Sequence, residues 1–389
     1  MPATPPKNFH AGHSLGSIDA MRGYAILLVV TAHAVPASLV WPARRVLLMG
    51  FYGVQLFFIA SAVTLLMSWA RGNEPFEVKS SRFFIHRFFR IAPLYFLAIG
   101  FYWIVDQTPS TDFSLSRLIS TLLFVNAWTP HLLPTTEGWK PVPGGWSISV
   151  EFCFYVIFPL LAVTITTMRR TLAFCAAAFV IMIMASTLGQ ALYPEIAASQ
   201  RENFLYFWFP NQLIVFAIGF LLYGCLQSKR LCDLVVHTRL SATTASACLV
   251  AAMMGLSFFG LRKAGVAPTH LSMTICFAAW AFVLLLKPDQ LVVNPVITAI
   301  GKVSFSLYIV HFAILKFVDY LMNAWWPIGK EGVLSLPYAT AFILLAVGIS
   351  YAIASVTYRT IEQPFIQLGK RLAVNLVSVP ATPQRSSIR

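Results

Sequence analysis

Ten long apolar stretches divide the chain, and each is long enough, or nearly so, to cross a lipid bilayer as a helix. Inside a bilayer every backbone N–H and C=O must bond within the protein, and helices of about 20 apolar residues meet that condition. The predicted spans are 21–40, 46–70, 88–106, 145–167, 172–192, 204–226, 241–260, 270–286, 303–325 and 336–358. We therefore predict an all-α fold, a polytopic transmembrane bundle of about ten spans.

The composition agrees with a chain whose main solvent is lipid. Hydrophobic residues make up 58% of the 389 positions and charged residues only 11%, too few to cover a water-facing surface. The net charge of +14 fits basic loops that orient a membrane protein, so we expect no nucleic-acid partner. The six cysteines lack ligand spacing, and no His, Cys and carboxylate set predicts a metal site.

The stretch 114–128 differs from the spans because its apolar residues follow one helix face only. Leu115, Leu118, Ile119 and Leu122 recur at helical spacing with polar residues between them. We interpret it as an interfacial helix, since lysines and arginines then concentrate in the loops on one side of the bilayer. That distribution predicts that both termini are cytoplasmic.

One charged residue and one histidine share a face of the first predicted span. Arg22 and His33 are 11 positions apart, three helical turns with a remainder of about 20°, and the rise between them is roughly 16 Å. We therefore expect an arginine at the membrane surface directly below a histidine at mid-depth. Ionisable groups at that depth usually face a protein interior or a water-filled cavity.

Six stretches together resemble the membrane-bound acyltransferase-3 family, which O-acylates bacterial surface polysaccharides, lipopolysaccharide, peptidoglycan and glycolipids. The resemblance covers roughly 18–365, with the motifs in the family's order. They are DAMRG followed by His33, GVQLFFIASA (53–62), HRFFRIAPLY (86–95), GGWSISVEFCFYVIFP (144–159), GKVSFSLYIVHF (301–312) and YRTIEQPF (358–365). We expect a member of the type without an appended esterase-like domain.

The resemblance implies a domain division and a set of expected partners. We expect a cytoplasmic N-terminal tail over 1–17, a transmembrane acyltransferase domain over 18–366 and a disordered cytoplasmic tail over 367–389. The opening residues lack a short apolar core with a cleavage site, so the first span is expected to be retained. The expected partners are the lipid bilayer of the bacterial inner membrane, acyl-CoA, most simply acetyl-CoA, and a glycan or glycolipid acceptor.

Three arginines are candidates for binding acyl-CoA. Arg87 and Arg90 are three apart and can present two guanidinium groups on one helix face to phosphates, and Arg22 is expected to join them. The alternative is that they only anchor the helices on the positive side of the membrane.

His33 is the candidate general base, and Glu151 is the candidate partner that orients it. A neutral imidazole can accept the proton of an acceptor hydroxyl. Glu151 enters its span from the opposite side, so we expect the two side chains to meet near one depth. Without catalysis, His33 would be a buried histidine bonded to a neighbour, and Glu151 a paired or protonated carboxylate.

Six further residues are predicted to line the substrate pocket or to orient its charged groups. Asp19 precedes Arg22 by three positions and is expected to pair with it, while Trp146 alternatively belongs to an interfacial aromatic belt. Helix-to-helix bonds are the alternative for Ser147 and Ser149. For Tyr308 and His311 we expect a structural or pocket-lining role, and catalysis is the alternative. The six are Asp19, Trp146, Ser147, Ser149, Tyr308 and His311.

The sequence thus predicts an O-acyltransferase, most simply an O-acetyltransferase. Direct transfer with His33 as base and a covalent acyl-histidine relay both remain open. The alternatives from other classes are a proton-coupled transporter or lipid-glycan flippase, in which His33 and Glu151 would relay protons, and an inactive scaffold.

Overall fold

The computed structural model describes residues 11–36, 39–72, 74–105, 113–133, 139–259, 268–326 and 334–377. These residues form a bundle in which long helices are joined by short helices and turns. The helices are α1 (Ala11–His33), α2 (Ala43–Leu47), α3 (Gly53–Ala70), α4 (Phe76–Val105), α5 (Leu115–Leu122), α6 (Gly145–Thr164), α7 (Met168–Leu192), α8 (Ala198–Phe207), α9 (Phe209–Gln227), α10 (Lys229–Val236), α11 (Ala242–Phe259), α12 (Pro268–Leu286), α13 (Pro295–Lys302), α14 (Ser304–Trp325), α15 (Ser335–Thr357) and α16 (Gln363–Val377).

The polytopic helical bundle is confirmed. Among the residues described above, nine helical segments are long and apolar enough to cross a membrane, and the predicted span 241–260 forms the shorter apolar helix α11. The α3–α4, α6–α7 and α12–α14 connections share one end of the bundle, which we refer to as the predicted cytoplasmic end. The opposite end is the predicted extracytoplasmic end.

The last span continues beyond its predicted boundary. A π-helical turn, Tyr358–Glu362, joins α15 directly to α16, and helix persists to Val377. The chain is therefore helical through the first part of the predicted tail. The remainder of that tail, 378–389, and the predicted N-terminal residues 1–10 lie outside the described residues.

The stretch 114–128 does not cross the bundle. Its helix, α5, has only eight residues, and the Ser114 hydroxyl caps it by accepting a hydrogen bond from the Arg117 backbone N–H at 3.4 Å. Leu115 and Ile119 are 59% and 47% exposed, whereas the neighbouring Ser120 is buried. An outward apolar face fits the predicted interfacial helix.

Helix α1 begins well before the predicted start of the first span. Its first half packs along α13, and Ile18, Ala20 and Met21 are buried there. Packing therefore carries the helix through residues whose local composition looked too polar for a span. As a result Arg22 lies well inside α1, and His33 is the last residue of the helix.

Close contact between α1 and α13 requires a glycine. A Cβ at Gly301 would lie 1.8 Å from the Asp19 carbonyl oxygen, so any side chain there would separate the helices. Asn294 caps α13 by accepting a hydrogen bond from the Ile297 backbone N–H at 3.0 Å. The first and fifth motifs of the sequence therefore meet directly.

Aromatic side chains fill the core between α3, α6 and α9. Phe216 stacks on Phe154 with ring centroids 3.9 Å apart and on Phe58 at 4.8 Å, and all three are buried. Because Phe154 is one turn from Glu151, this packing fixes the rotation of α6. It determines which α6 side chains face the interior beside α3.

Candidate functional site

Three arginines from two helices converge on one internal cavity. Arg22 comes from α1, while Arg87 and Arg90 come from α4, and all three line a space of about 80 Å³. We call it the arginine cavity and define it by these three residues with Glu151, Tyr155 and Ser304. The predicted arginine cluster therefore exists as a group of neighbouring side chains.

Arg22 is held in place by its own helix and by α3. Its Nη1 lies 3.9 Å from Asp19 Oδ1, and its Nη2 donates a hydrogen bond to Thr64 Oγ1 at 3.3 Å. The two charged side chains are only 18% and 22% exposed. The expected pairing of Asp19 with Arg22 is present, so Asp19 orients the arginine.

Arg87 is held mainly by aromatic rings. Its guanidinium carbon lies 5.8 Å from the ring centroids of both Phe83 and Tyr155. Its buried Nε makes no hydrogen bond within the described residues. A planar cation between two rings retains N–H donors that can bind a phosphate bidentately.

Glu151 belongs to the arginine cavity, and the predicted meeting with His33 is wrong. Its Oε1 accepts hydrogen bonds from Ser61 Oγ at 2.6 Å and Tyr155 Oη at 2.5 Å. His33 lines a different cavity. His33 and Gly144, at the start of α6, line the same cavity, whereas Glu151 lies about 9 Å further along α6.

His33 opens onto a larger, aromatic-lined cavity of about 490 Å³. We call it the histidine cavity and define it by His33, Tyr52, Trp146, Asn203, Tyr206 and Phe312. The His33 side chain is exposed to this space, and its ring packs edge-on against Phe51 and Phe312 at 4.8 and 4.7 Å between centroids. It is therefore not a buried core histidine.

The hydrogen bond of His33 fixes which ring nitrogen can accept a proton. Its Nδ1 lies 2.9 Å from the Val29 carbonyl oxygen. Because a carbonyl oxygen only accepts, Nδ1 carries the hydrogen and Nε2 of the neutral ring keeps its lone pair. An imidazole held this way is oriented to act as a base.

Tyr308 and Val54 line both cavities and form the wall between them. Tyr308 Oη donates to the Gly144 carbonyl oxygen at 2.9 Å and accepts from Ser147 Oγ at 2.8 Å. Gly144 has φ +74°, and a Cβ there would lie 2.8 Å from Phe312 Cε2. Only glycine permits α6 to begin this close to α14.

Three other predicted pocket residues have different surroundings. Trp146 lines the histidine cavity and stacks on Phe207 with centroids 4.4 Å apart, so it belongs to the interior. Ser149 is buried and donates to the Phe124 carbonyl oxygen at 2.6 Å, a helix-to-loop bond and not a pocket contact. His311 is fully buried behind Tyr308, with Nδ1 2.7 Å from the Tyr308 carbonyl oxygen.

Sequence reasoning missed several residues of the arginine cavity and its surroundings. Tyr155 and Ser61 bond Glu151, and Glu362 on the π-helical turn is buried, accepts from Ser306 Oγ at 2.7 Å and interacts electrostatically with Arg90. Glu362 could have been recognised as a carboxylate at the end of an apolar span, and Tyr155 and Ser61 as polar residues within apolar spans.

A buried polar network supports the wall of the histidine cavity. Gln55 Nε2 donates to Tyr206 Oη at 3.0 Å and to Gln212 Oε1 at 3.2 Å, and His270 Nε2 lies 3.1 Å from the same Gln212 oxygen. Both glutamines are fully buried. The network holds Tyr206 in a fixed position at the cavity surface.

Comparison with known proteins shows similarity along nearly the whole chain. The family model described as an acyltransferase domain matches residues 15–355. Acyltransferase MdmB of Streptomyces mycarofaciens is 26% identical over 397 residues, which cover 95% of this chain and 96% of that protein. The putative membrane-bound transacylase BcsY of Komagataeibacter xylinus is 26% identical over 318 residues, covering 78% of this chain and 74% of that protein.

A third relative is similar over a shorter part. The putative peptidoglycan O-acetyltransferase YrhL of Bacillus subtilis is 25% identical over 188 residues, which cover 46% of this chain and 28% of that protein. No solved structure matches this chain.

Proposed function

This chain belongs to the acyltransferase domain family and is a multi-pass membrane O-acyltransferase, and we propose that it transfers an acetyl group from acetyl-CoA to a hydroxyl of a cell-surface glycan or glycolipid. The observation that carries the proposal is the pair of adjoining cavities: one presents arginines, the other presents a basic imidazole nitrogen, and Tyr308 divides them. Relatives named as acyltransferases favour group transfer over transport.

The arginine cavity is the proposed donor side. Coenzyme A carries phosphates, and Arg22, Arg87 and Arg90 supply the charge and N–H donors that bind them. The cavity is nearer the predicted cytoplasmic end, where the basic loops lie, and the proposal places acyl-CoA there and both termini in the cytoplasm of an inner-membrane protein. The name of YrhL, a putative peptidoglycan O-acetyltransferase, supports acetyl as the transferred group.

The histidine cavity is the proposed acceptor side. It is roomier, at about 490 Å³, and its aromatic walls include Trp146, Tyr206 and Phe312. Aromatic faces pack against the apolar faces of sugar rings, while Asn203 can bond hydroxyls. These features support a glycan or glycolipid acceptor that enters from the predicted extracytoplasmic end.

The proposed reaction places His33 Nε2 beside the acceptor hydroxyl. As the hydroxyl oxygen attacks the thioester carbonyl carbon, Nε2 accepts its proton, the C–O bond forms and the C–S bond breaks. The thiolate of coenzyme A then takes up a proton. In the relay variant, Nε2 itself attacks the carbonyl carbon and expels the thiolate, forming an acyl-histidine. The sugar hydroxyl then attacks that acyl group, the C–N bond breaks, and the hydroxyl proton passes by way of the released imidazole to the thiolate.

The direct test is surface-glycan mass spectrometry on three strains of the native host. The strains carry a deletion, the wild-type gene restored, or the His33→Ala gene, and membrane levels of the protein are matched by immunoblot. We expect O-acetyl groups only with the wild-type gene. Equal acetylation in the His33→Ala strain would reject the assignment, and rapid-quench peptide mapping for acetyl-His33 distinguishes the relay from direct transfer.

A further inference from the structure

A second imidazole lies between the two cavities, and one of its nitrogens is unused. His311 is 0% exposed, and its Nδ1 is 2.7 Å from the Tyr308 carbonyl oxygen. A carbonyl only accepts, so Nδ1 carries the hydrogen and Nε2 holds a lone pair. That Nε2 is buried and has no hydrogen-bond partner among the described residues.

An unsatisfied buried acceptor is costly and needs an explanation. The Nδ1 bond alone would hold the ring, and an apolar side chain would fill the same space without burying a second nitrogen. The basic nitrogen itself therefore points to a function that operates when a proton donor reaches it.

His311 lies next to His33 on the acceptor side and next to Tyr308 in the dividing wall. Its ring centroid lies 5.4 Å from that of His33, which faces the histidine cavity, and 5.5 Å from that of Tyr308, which lines both cavities. The third neighbouring ring, Phe312 at 4.0 Å, carries no titratable group. The two ring neighbours that can exchange a proton with His311 are thus His33, which faces the histidine cavity, and Tyr308, which forms the wall.

The proposed acyl transfer creates a need for such a group. The acceptor hydroxyl loses its proton to His33, and the leaving thiolate of coenzyme A gains one as it withdraws past Tyr308 to the arginine side. The net reaction is thioester plus alcohol giving ester plus thiol, so no oxidant or other co-reactant takes part. His33 must therefore pass its proton toward the departing thiolate before the next turnover.

Resting on the proposed function, we infer that His311 is a proton-relay residue. Its Nε2 accepts the proton from the His33 imidazolium, and the resulting His311 imidazolium releases that proton toward the thiolate as Tyr308 moves aside to admit the carbonyl. Each step breaks one N–H bond and forms one N–H or S–H bond. His311 thereby returns His33 to its basic form in every turnover.

Asparagine separates this role from a structural one. The side-chain amide of His311→Asn keeps an N–H donor near the position of Nδ1, for the Tyr308 carbonyl, but removes the basic Nε2. His237→Asn is the matched control, because His237 makes the same kind of bond, Nδ1 to the Asp233 carbonyl oxygen at 2.6 Å, on an exposed helix end. Both variants are assayed as purified full-length protein for acceptor-dependent release of coenzyme A.

For His311→Asn we expect kcat to fall about 100-fold, in the range typical of lost acid–base catalysis, with the KM for acetyl-CoA unchanged. We also expect added imidazole to restore activity to His311→Ala and to leave the wild-type rate unchanged. Thermal unfolding checks that each variant is folded.

Two results would overturn the relay. One is a wild-type kcat in His311→Asn, which would mean that His311 acts only through the hydrogen bond of its Nδ1 and relays no proton. The other is a folded His311→Ala that imidazole leaves inactive while acetyl-CoA still binds. If the wild-type protein itself shows no acyl transfer with any glycan tested, the proposed function fails instead, so the two failures are distinguishable.

Discussion

His33 is a single residue whose orientation decides the chemistry. With Nδ1 bonded to the Val29 carbonyl, only Nε2 is available as a base. We predict that His33→Gln, which keeps polarity and similar size, lowers kcat by about 10²–10⁴-fold and leaves the KM for acetyl-CoA unchanged. Steady-state kinetics on purified protein measures both constants. A raised KM with normal kcat would mean that His33 binds substrate and does no chemistry.

Arg87 depends on its planar shape as well as on its charge. Its guanidinium lies between the rings of Phe83 and Tyr155, where the ammonium of lysine cannot stack or form two parallel bonds. We predict that Arg87→Lys weakens coenzyme A binding about tenfold, measured by isothermal titration calorimetry, because a charge-assisted bond is lost.

The matched control for that prediction is Arg82→Lys on the same helix. Arg82 makes two hydrogen bonds to Glu74 and does not line the arginine cavity. Its substitution should leave coenzyme A affinity unchanged. Equal weakening by both variants would show that overall positive charge, and not the cavity, binds the nucleotide.

Residue types were predictable from the sequence, but their pairing was not. Arg22, Arg87 and Arg90 could be grouped because helix spacing and the positive side of the membrane constrain them together. Glu151 could not be assigned correctly, because rise along a helix gives depth and not which neighbour a side chain faces. The rotation of α6 is set by Phe154 stacking on Phe216, a long-range contact that no local pattern encodes.

Helices α1 and α13 meet at a contact that tolerates no side chain. We predict that Gly301→Ala lowers the free energy of unfolding by about 1–3 kcal/mol, because the new Cβ would overlap the Asp19 carbonyl. It should also lower activity, since Asp19 orients Arg22. Thermal unfolding in detergent measures the first effect and acyl transfer the second.

Gly348→Ala on α15 is the control for the Gly301 prediction. A Cβ there meets no atom within 4 Å, and alanine is the better helix former, so stability should stay equal or rise slightly. Equal loss of stability in both variants would show that detergent-solubilised helices do not keep the α1–α13 contact.

Spans were the most predictable elements, because long apolar stretches leave the backbone little choice but helix. Their ends were less predictable. Helix α1 extends to Ala11 because α13 covers residues that look too polar for a span, and α16 continues α15 through a π-helical turn. Tertiary contacts, not local composition, set both boundaries.

The molecule as a whole has a predicted orientation. Basic residues in the α3–α4, α6–α7 and α9–α11 connections predict that this end faces the cytoplasm. We predict that a single cysteine at Lys229, in a cysteine-free background, is protected from a membrane-impermeant maleimide in intact cells, whereas one at Arg117 is labelled. The opposite pattern would place the arginine cavity on the wrong side for acyl-CoA.

The central claim is that an acyl group passes from the arginine cavity to the histidine cavity by way of Tyr308. The most direct measurement is a cryo-EM structure with a non-hydrolysable acetyl-CoA analogue. The account predicts phosphates at Arg22, Arg87 and Arg90, the carbonyl beside His33, and Tyr308 displaced from the Gly144 carbonyl. A nucleotide bound away from the arginines, or a carbonyl shut off from His33 by an intact Tyr308–Gly144 bond, would contradict it.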